Sequence, residues 1–235
     1  LVFVSPWFSP EPALASETDA KLSVTQNESV DVYFERGAKN LPVVFLVNSR
    51  YYSKADWQDY PRLLAQKGYF VAAVTTTGMA TSSVDIADAI DGVLKKYASI
   101  LDSSRVAFIG EALGGLKVID VILQTQQVEA RRRTMTIKTA VFLSVFRFGY
   151  GAEDRLPEGH VPVLALYATR DRFSGAYLTS EWAEARLSEP KKIVAIDGVA
   201  HGHELVTEGP TRDLVRAEID AWLKRHLGRP QDLGE

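Results

Sequence analysis

The sequence predicts an α/β fold: a mostly parallel central sheet of about seven or eight strands with helices on both faces. Three observations lead there. Apolar runs of strand length alternate with segments of helical period along most of the chain. The run at residues 43–47, Val-Val-Phe-Leu-Val, is apolar at every position, as a strand covered on both faces requires. Of the 235 residues, 46% are hydrophobic and 24% charged, which is enough apolar material for one sizeable core.

The elements follow in order. Residues 21–36 read as an opening pair of strands, with Val30, Val32 and Phe34 alternating against Asp31, Tyr33 and Glu35. The run at 43–47 is a deep strand. Residues 55–67 carry Trp57, Tyr60, Leu63 and Leu64 at helical spacing, and Gly68 supplies the stop before a strand at 69–74. Ser82 or Ser83 caps a helix whose Ile86, Ile90, Val93, Leu94 and Tyr97 share one face. A strand at 105–109, a sharp glycine-bracketed turn and a buried helix at 116–123 come next. Three further strands are expected at 140–145, 163–167 and 193–196, with residues 181–187 inside an intervening helix. The last helix begins near Pro210 and is expected to bury Leu214, Val215, Ile219, Trp222 and Leu223. Residues 21–228 are accordingly read as a single domain, 1–20 as an N-terminal arm or residual leader, and 229–235 as a tail.

Composition removes several functional classes. Lys and Arg number 27 against 30 Asp and Glu, a net charge of −3, so there is no broad basic field for nucleic acid. Cysteine is absent, which excludes disulfides, thiolate metal sites and a cysteine nucleophile. No apolar run approaches the roughly 20 residues that span a bilayer. Ala13-Leu14-Ala15 before Ser16 has the small-x-small pattern of a signal cleavage site, while the apolar residues of 1–8 equally suit an arm laid on the domain or on a second copy in a homodimer. Both a cytoplasmic and an exported location fit. The Arg131-Arg132-Arg133 run reads as a solvated loop, and His201-Gly202-His203 is too sparse for a metal site.

The chemistry is carried by residues 106–115, Val-Ala-Phe-Ile-Gly-Glu-Ala-Leu-Gly-Gly. A strand ends, Ala112 sits between glycines two positions to either side, and a helix begins at once. Small flanking residues are needed where a strained turn brings strand and helix backbones together. Asp171 follows the strand at 163–167 and His201 follows the strand at 193–196, so both lie at C-terminal strand ends, where an open α/β sheet places its site. Asp154, after the preceding strand, is a fallback acid, and His203 is a rival to His201.

This pattern resembles the nucleophile elbow of the α/β-hydrolase family, and the order elbow, acid, histidine is that family's order. The resemblance runs from about Val30 to the final helix and implies an α/β-hydrolase fold. It also implies hydrolysis of carboxylic esters or related acyl compounds by a Ser-His-Asp mechanism, with a small-molecule substrate and no cofactor. On that reading Ala112 holds the nucleophile position, His201 is the general base and Asp171 orients the imidazole. The Leu113 amide donates to the oxyanion, and a second donor comes from Ser49 or Arg50, where many relatives have His-Gly-x. Tyr51, Phe146 and Phe173 line the substrate pocket, with Tyr52, Trp57, Phe148 and Tyr150 nearby; the short stretch between the strands near Val145 and Val163 implies no large cap.

Alanine offers no nucleophilic oxygen, so the chain as written is expected to be inactive or nearly so. An acid, a base and a glycine elbow in register favour a serine exchanged for alanine. The alternative is a natural non-hydrolytic ligand-binding protein built on the same fold.

Overall fold

A computed structural model describes residues 21–49, 52–75, 83–127, 134–145, 161–173 and 176–228. Its strands are β1 (Leu22–Gln26), β2 (Val30–Glu35), β3 (Leu41–Val47), β4 (Phe70–Val74), β5 (Leu101–Glu111), β6 (Ile137–Leu143), β7 (Val163–Ala168) and β8 (Lys191–Ile196). They form one sheet in the order β1-β2-β4-β3-β5-β6-β7-β8. β2 is antiparallel to both neighbours, and every other pair is parallel. The helices are α1 (Tyr60–Gln66), α2 (Ser83–Lys96), α3 (Ala112–Gln127), α4 (Ala176–Arg186), α5 (Glu204–Thr207) and α6 (Arg212–Leu227).

Period-two alternation splits the central strands between two cores. Val43, Phe45, Val47, Val106 and Phe108 face α2, α3 and α4, with Phe45 stacked on Phe108 at 5.4 Å. Val44, Leu46, Ala107, Ile109, Val141 and Leu143 face α1, α5 and α6. A mostly parallel sheet sandwiched in this way is the architecture the apolar runs predict. The chain leaves β3 for β4 on one side and leaves β5 for β6 on the other. A crevice therefore opens between the carboxyl ends of β3 and β5, the usual ligand position in such sheets.

Several local expectations are corrected. The helix expected over 55–67 is divided into a 3₁₀ turn, Lys54–Trp57, capped by Ser53 and Asp56, and the separate helix α1. Gln58 between them has φ 49°, and Pro61, which has no N–H to give, sits in the first turn of α1. Asp31 and Tyr33 are buried instead of solvent-facing, because Lys54 pairs with Asp31 at 2.7 Å and Arg62 lies over the Tyr33 ring. Leu214 is 59% exposed: α6 turns Val215, Ile219 and Leu223 to the core and leaves Leu214 on the outer side.

Candidate active site

β5 delivers the strand-to-helix turn at Ala112. Glu111 is its last residue, α3 begins at Ala112, and Ala112 has φ 43°, a left-handed conformation uncommon for a residue with a Cβ. The glycines around it are spatial requirements. A Cβ on Gly110 would stand 2.6 Å from Gly115 Cα, and one on Gly114 would stand 2.4 Å from the Asn48 carbonyl oxygen. The start of α3 is therefore pressed against the loop after β3. Leu113, whose amide belongs to the first turn of α3, lies beside that contact.

β7 and β8 deliver the acid and the imidazole. The Thr169 N–H donates to Ile196 O and the Arg170 N–H to Gly198 O, both at 2.8 Å, which laces the two strand-end loops together. Asp171 and His201 are both buried, and Asp171 Oδ2 lies 2.7 Å from His201 Nδ1. Asp171 Oδ1 accepts the Phe173 N–H at 2.8 Å. With the carboxylate ionised, Nδ1 carries the proton and Nε2 the lone pair. Glu204 Oε2 accepts the His201 N–H at 2.9 Å, so the backbone of the histidine loop is held as well as its ring.

A second pair sits between these parts. Glu111, fully buried, accepts the Ser49 N–H at Oε1 (2.9 Å); its Oε2 accepts the His203 N–H (2.6 Å) and faces His203 Nδ1 (2.8 Å). Burial opposes charge on His203, but the Glu111 hydrogen bond and the charges of Glu111, Asp56 and Glu204 outweigh it and raise its pKa above the usual histidine value. The Tyr52 phenol is also pushed up, by burial first and then by Glu204 and Glu111.

The positions named from sequence fall out as follows. Asp171 and His201 are in direct contact. Ala112 is linked to them through its neighbour Glu111, which touches the residues following His201. The Ser49 amide is committed to Glu111. Phe173 is 60% exposed, with its ring 5.0 Å from the His201 ring. Trp57 is fully buried and packs against His203 and Tyr60. Arg50, Tyr51, Phe146, Phe148, Tyr150, Asp154 and the Arg131 to Arg133 run lie outside the described residues, as do the N-terminal arm 1–20, the tail 229–235 and residues 146–160, where a cap would be inserted.

The structure adds weight to three residues. Glu111 was only the spacer between Gly110 and Ala112, yet a carboxylate inside an apolar strand-to-helix run demands a partner. His203 was only a rival to His201. Ser144, after β6, is buried with φ 53°, and its hydroxyl has no partner among the described residues. Among those residues no cluster of three or more His, Asp or Glu could hold a metal ion, and no helix is long and apolar enough to cross a membrane.

No family model and no curated protein matches the sequence. Solved structures do match. Esterase B from Lactobacillus Rhamnosis (HN001) superposes with a TM-score of 0.67 at 14% identity, covering 90% of this chain and 87% of that one. A bacterial heroin esterase gives a TM-score of 0.67 at 15% identity, with 92% and 87% covered. Sheet order and these neighbours agree that the chain has the α/β-hydrolase fold.

Proposed function

We propose that the site is that of a hydrolase for carboxylic esters or related acyl compounds, complete in acid, base and elbow and lacking only the nucleophile's hydroxyl. The observation that carries this reading is the Asp171–His201 pair at 2.7 Å, together with the left-handed backbone at Ala112, whose neighbour Glu111 bonds the histidine loop. With a hydroxyl at position 112, His201 Nε2 would take its proton as the oxygen attacks the acyl carbon. The tetrahedral oxyanion would be met by the Leu113 amide, with the Arg50 amide as second donor, since that of Ser49 is held by Glu111. His201 would then protonate the leaving alkoxide, and water would release the acid by the same steps in reverse roles. Phe173, exposed beside His201, suits the aryl or acyl portion of a small ester.

In the chain as it stands, a bound ester lacks an attacking oxygen, so turnover is at most weak. Ala112→Ser is expected to raise kcat/KM for an aryl acetate by on the order of 10⁶-fold, and adding His201→Ala should remove the gain. Release of p-nitrophenol measures both. No gain from Ala112→Ser, with ester binding retained, would turn the reading into that of a ligand-binding protein on a hydrolase fold.

A further inference from the structure

Glu111 is a buried carboxylate that the hydrolytic steps do not use. A leucine in its place would fill the space without the desolvation cost of a charge, so its presence calls for something an apolar side chain cannot do. What Glu111 does is join three loops. One oxygen holds the loop after β3 through Ser49, and the other holds the histidine loop through the backbone and ring of His203. Glu111 itself adjoins Ala112. Gly202 makes the approach feasible: it has φ 54°, and a Cβ there would stand 2.7 Å from Glu111 Oε2.

The His203 ring is sandwiched on the loop side by Tyr52, edge-on at 4.7 Å, and by Trp57 at 6.4 Å. The charged groups acting on it are Glu111 at the end of β5, Asp56 on the 3₁₀ turn and Glu204 on α5, all carboxylates. Every acceptor position that Glu111 uses faces a donor of the protein, which leaves the pair as scaffold and not as a shuttle for substrate protons.

We propose that Glu111 and His203 form a positioning pair that fixes the register of the elbow, the oxyanion loop and the histidine loop, and so presents the His201 imidazole to position 112. This rests on the hydrolase reading above for its catalytic meaning, but the geometry it asserts can be tested without turnover.

The test uses three variants. Glu111→Gln must lose one link, because its amide NH₂ meets an N–H donor in either orientation. His203→Ala removes only the ring and leaves both backbone amides on Glu111. His203→Asn keeps a side-chain N–H near the place of Nδ1 and so is the rescue. In the chain with Ala112, the downfield proton of His201 Nδ1 is followed by NMR from pH 5 to 9. Glu111→Gln and His203→Ala are expected to broaden or shift it, and His203→Asn to restore it. In the Ala112→Ser background, the first two should lower kcat roughly 10- to 100-fold with KM changed less than about threefold, as for an imidazole displaced by a fraction of an ångström to an ångström. An unchanged His201 proton signal and unchanged kcat in folded Glu111→Gln and His203→Ala would overturn the proposal. If Glu111→Gln does not fold, His203→Ala against His203→Asn decides. Absence of turnover in Ala112→Ser itself counts against the hydrolase reading, and the NMR comparison still judges the positioning pair.

Discussion

The molecule holds two carboxylate–imidazole pairs of almost the same geometry, Asp171–His201 at 2.7 Å and Glu111–His203 at 2.8 Å, each made through Nδ1 and each buried. Bond length and burial do not separate them; connectivity does. Asp171 uses its other oxygen on the Phe173 amide, two residues along, so it closes its own loop while holding one ring. Glu111 divides its oxygens between Ser49 and His203, 62 and 92 residues away, and has no such local bond. On the proposed hydrolase reading, one pair holds the base. The other ties elements inward, and its carboxylate leaves no room even for a Cβ on Gly202.

Asp171→Asn gives the largest expected contrast. Asparagine can still accept the Phe173 N–H at Oδ1 while its Nδ2 faces His201 Nδ1, which forces the proton onto Nε2, the wrong nitrogen for a base. In the Ala112→Ser background kcat should fall by on the order of 10⁴-fold. The urea midpoint should move little. A large loss of stability with only a modest loss of kcat would place Asp171 with Glu111, among the ties.

Much of this was legible in the sequence, for physical reasons that differ from place to place. The run at 43–47 and the strand before Asp171 stand out because a strand buried on both faces has no polar side to interrupt it, whereas the edge strand before His201 is mostly half-buried and shows only as a short apolar run after two lysines. Gly110 and Gly114 stand out because backbone-to-backbone approach excludes every other residue. The Glu111–His203 bond left no such trace, since its partners are far apart in sequence and each had a plainer reading. The four-residue α5 is too short for a helical period to show, and the break between the 3₁₀ turn and α1 depends on a left-handed Gln58, which composition does not announce. Leu214 misled because one apolar residue on a helix does not say which side of the stripe it occupies.

Gly202→Ala sharpens the comparison at intermediate size. Alanine would carry backbone strain at φ 54° and would push on Glu111 Oε2, whereas Gly209, with φ 76° and open space around it, would carry strain alone. Gly202→Ala should cost about 2 kcal/mol and Gly209→Ala about 1 kcal/mol. For a chain of this size the first amounts to a fall in Tm of roughly 4–8 °C. Equal losses at the two positions would show that Glu111 yields freely and is not a rigid tie.

The smallest expected effect is in the pH dependence of stability. His203 has a pKa raised above its unfolded value of 6.5, since burial is outweighed by Glu111, so the folded state holds its proton more tightly than the unfolded chain does. Its contribution is complete below pH about 6.5 and is lost as pH rises through the folded value. His226 works the other way: burial and Arg225 lower its pKa, so its effect is confined to the region below about pH 6.5. Tyr52, raised by burial and nearby carboxylates, enters only above the unfolded tyrosine value of 10. Between pH 7 and 9 the urea midpoint should therefore decline more steeply in the parent than in His203→Asn, which keeps the bond to Glu111 but has no proton to lose. Parallel slopes would mean that the charge on His203 adds nothing to the tie, and that the hydrogen bonds of Glu111 hold the three loops unaided.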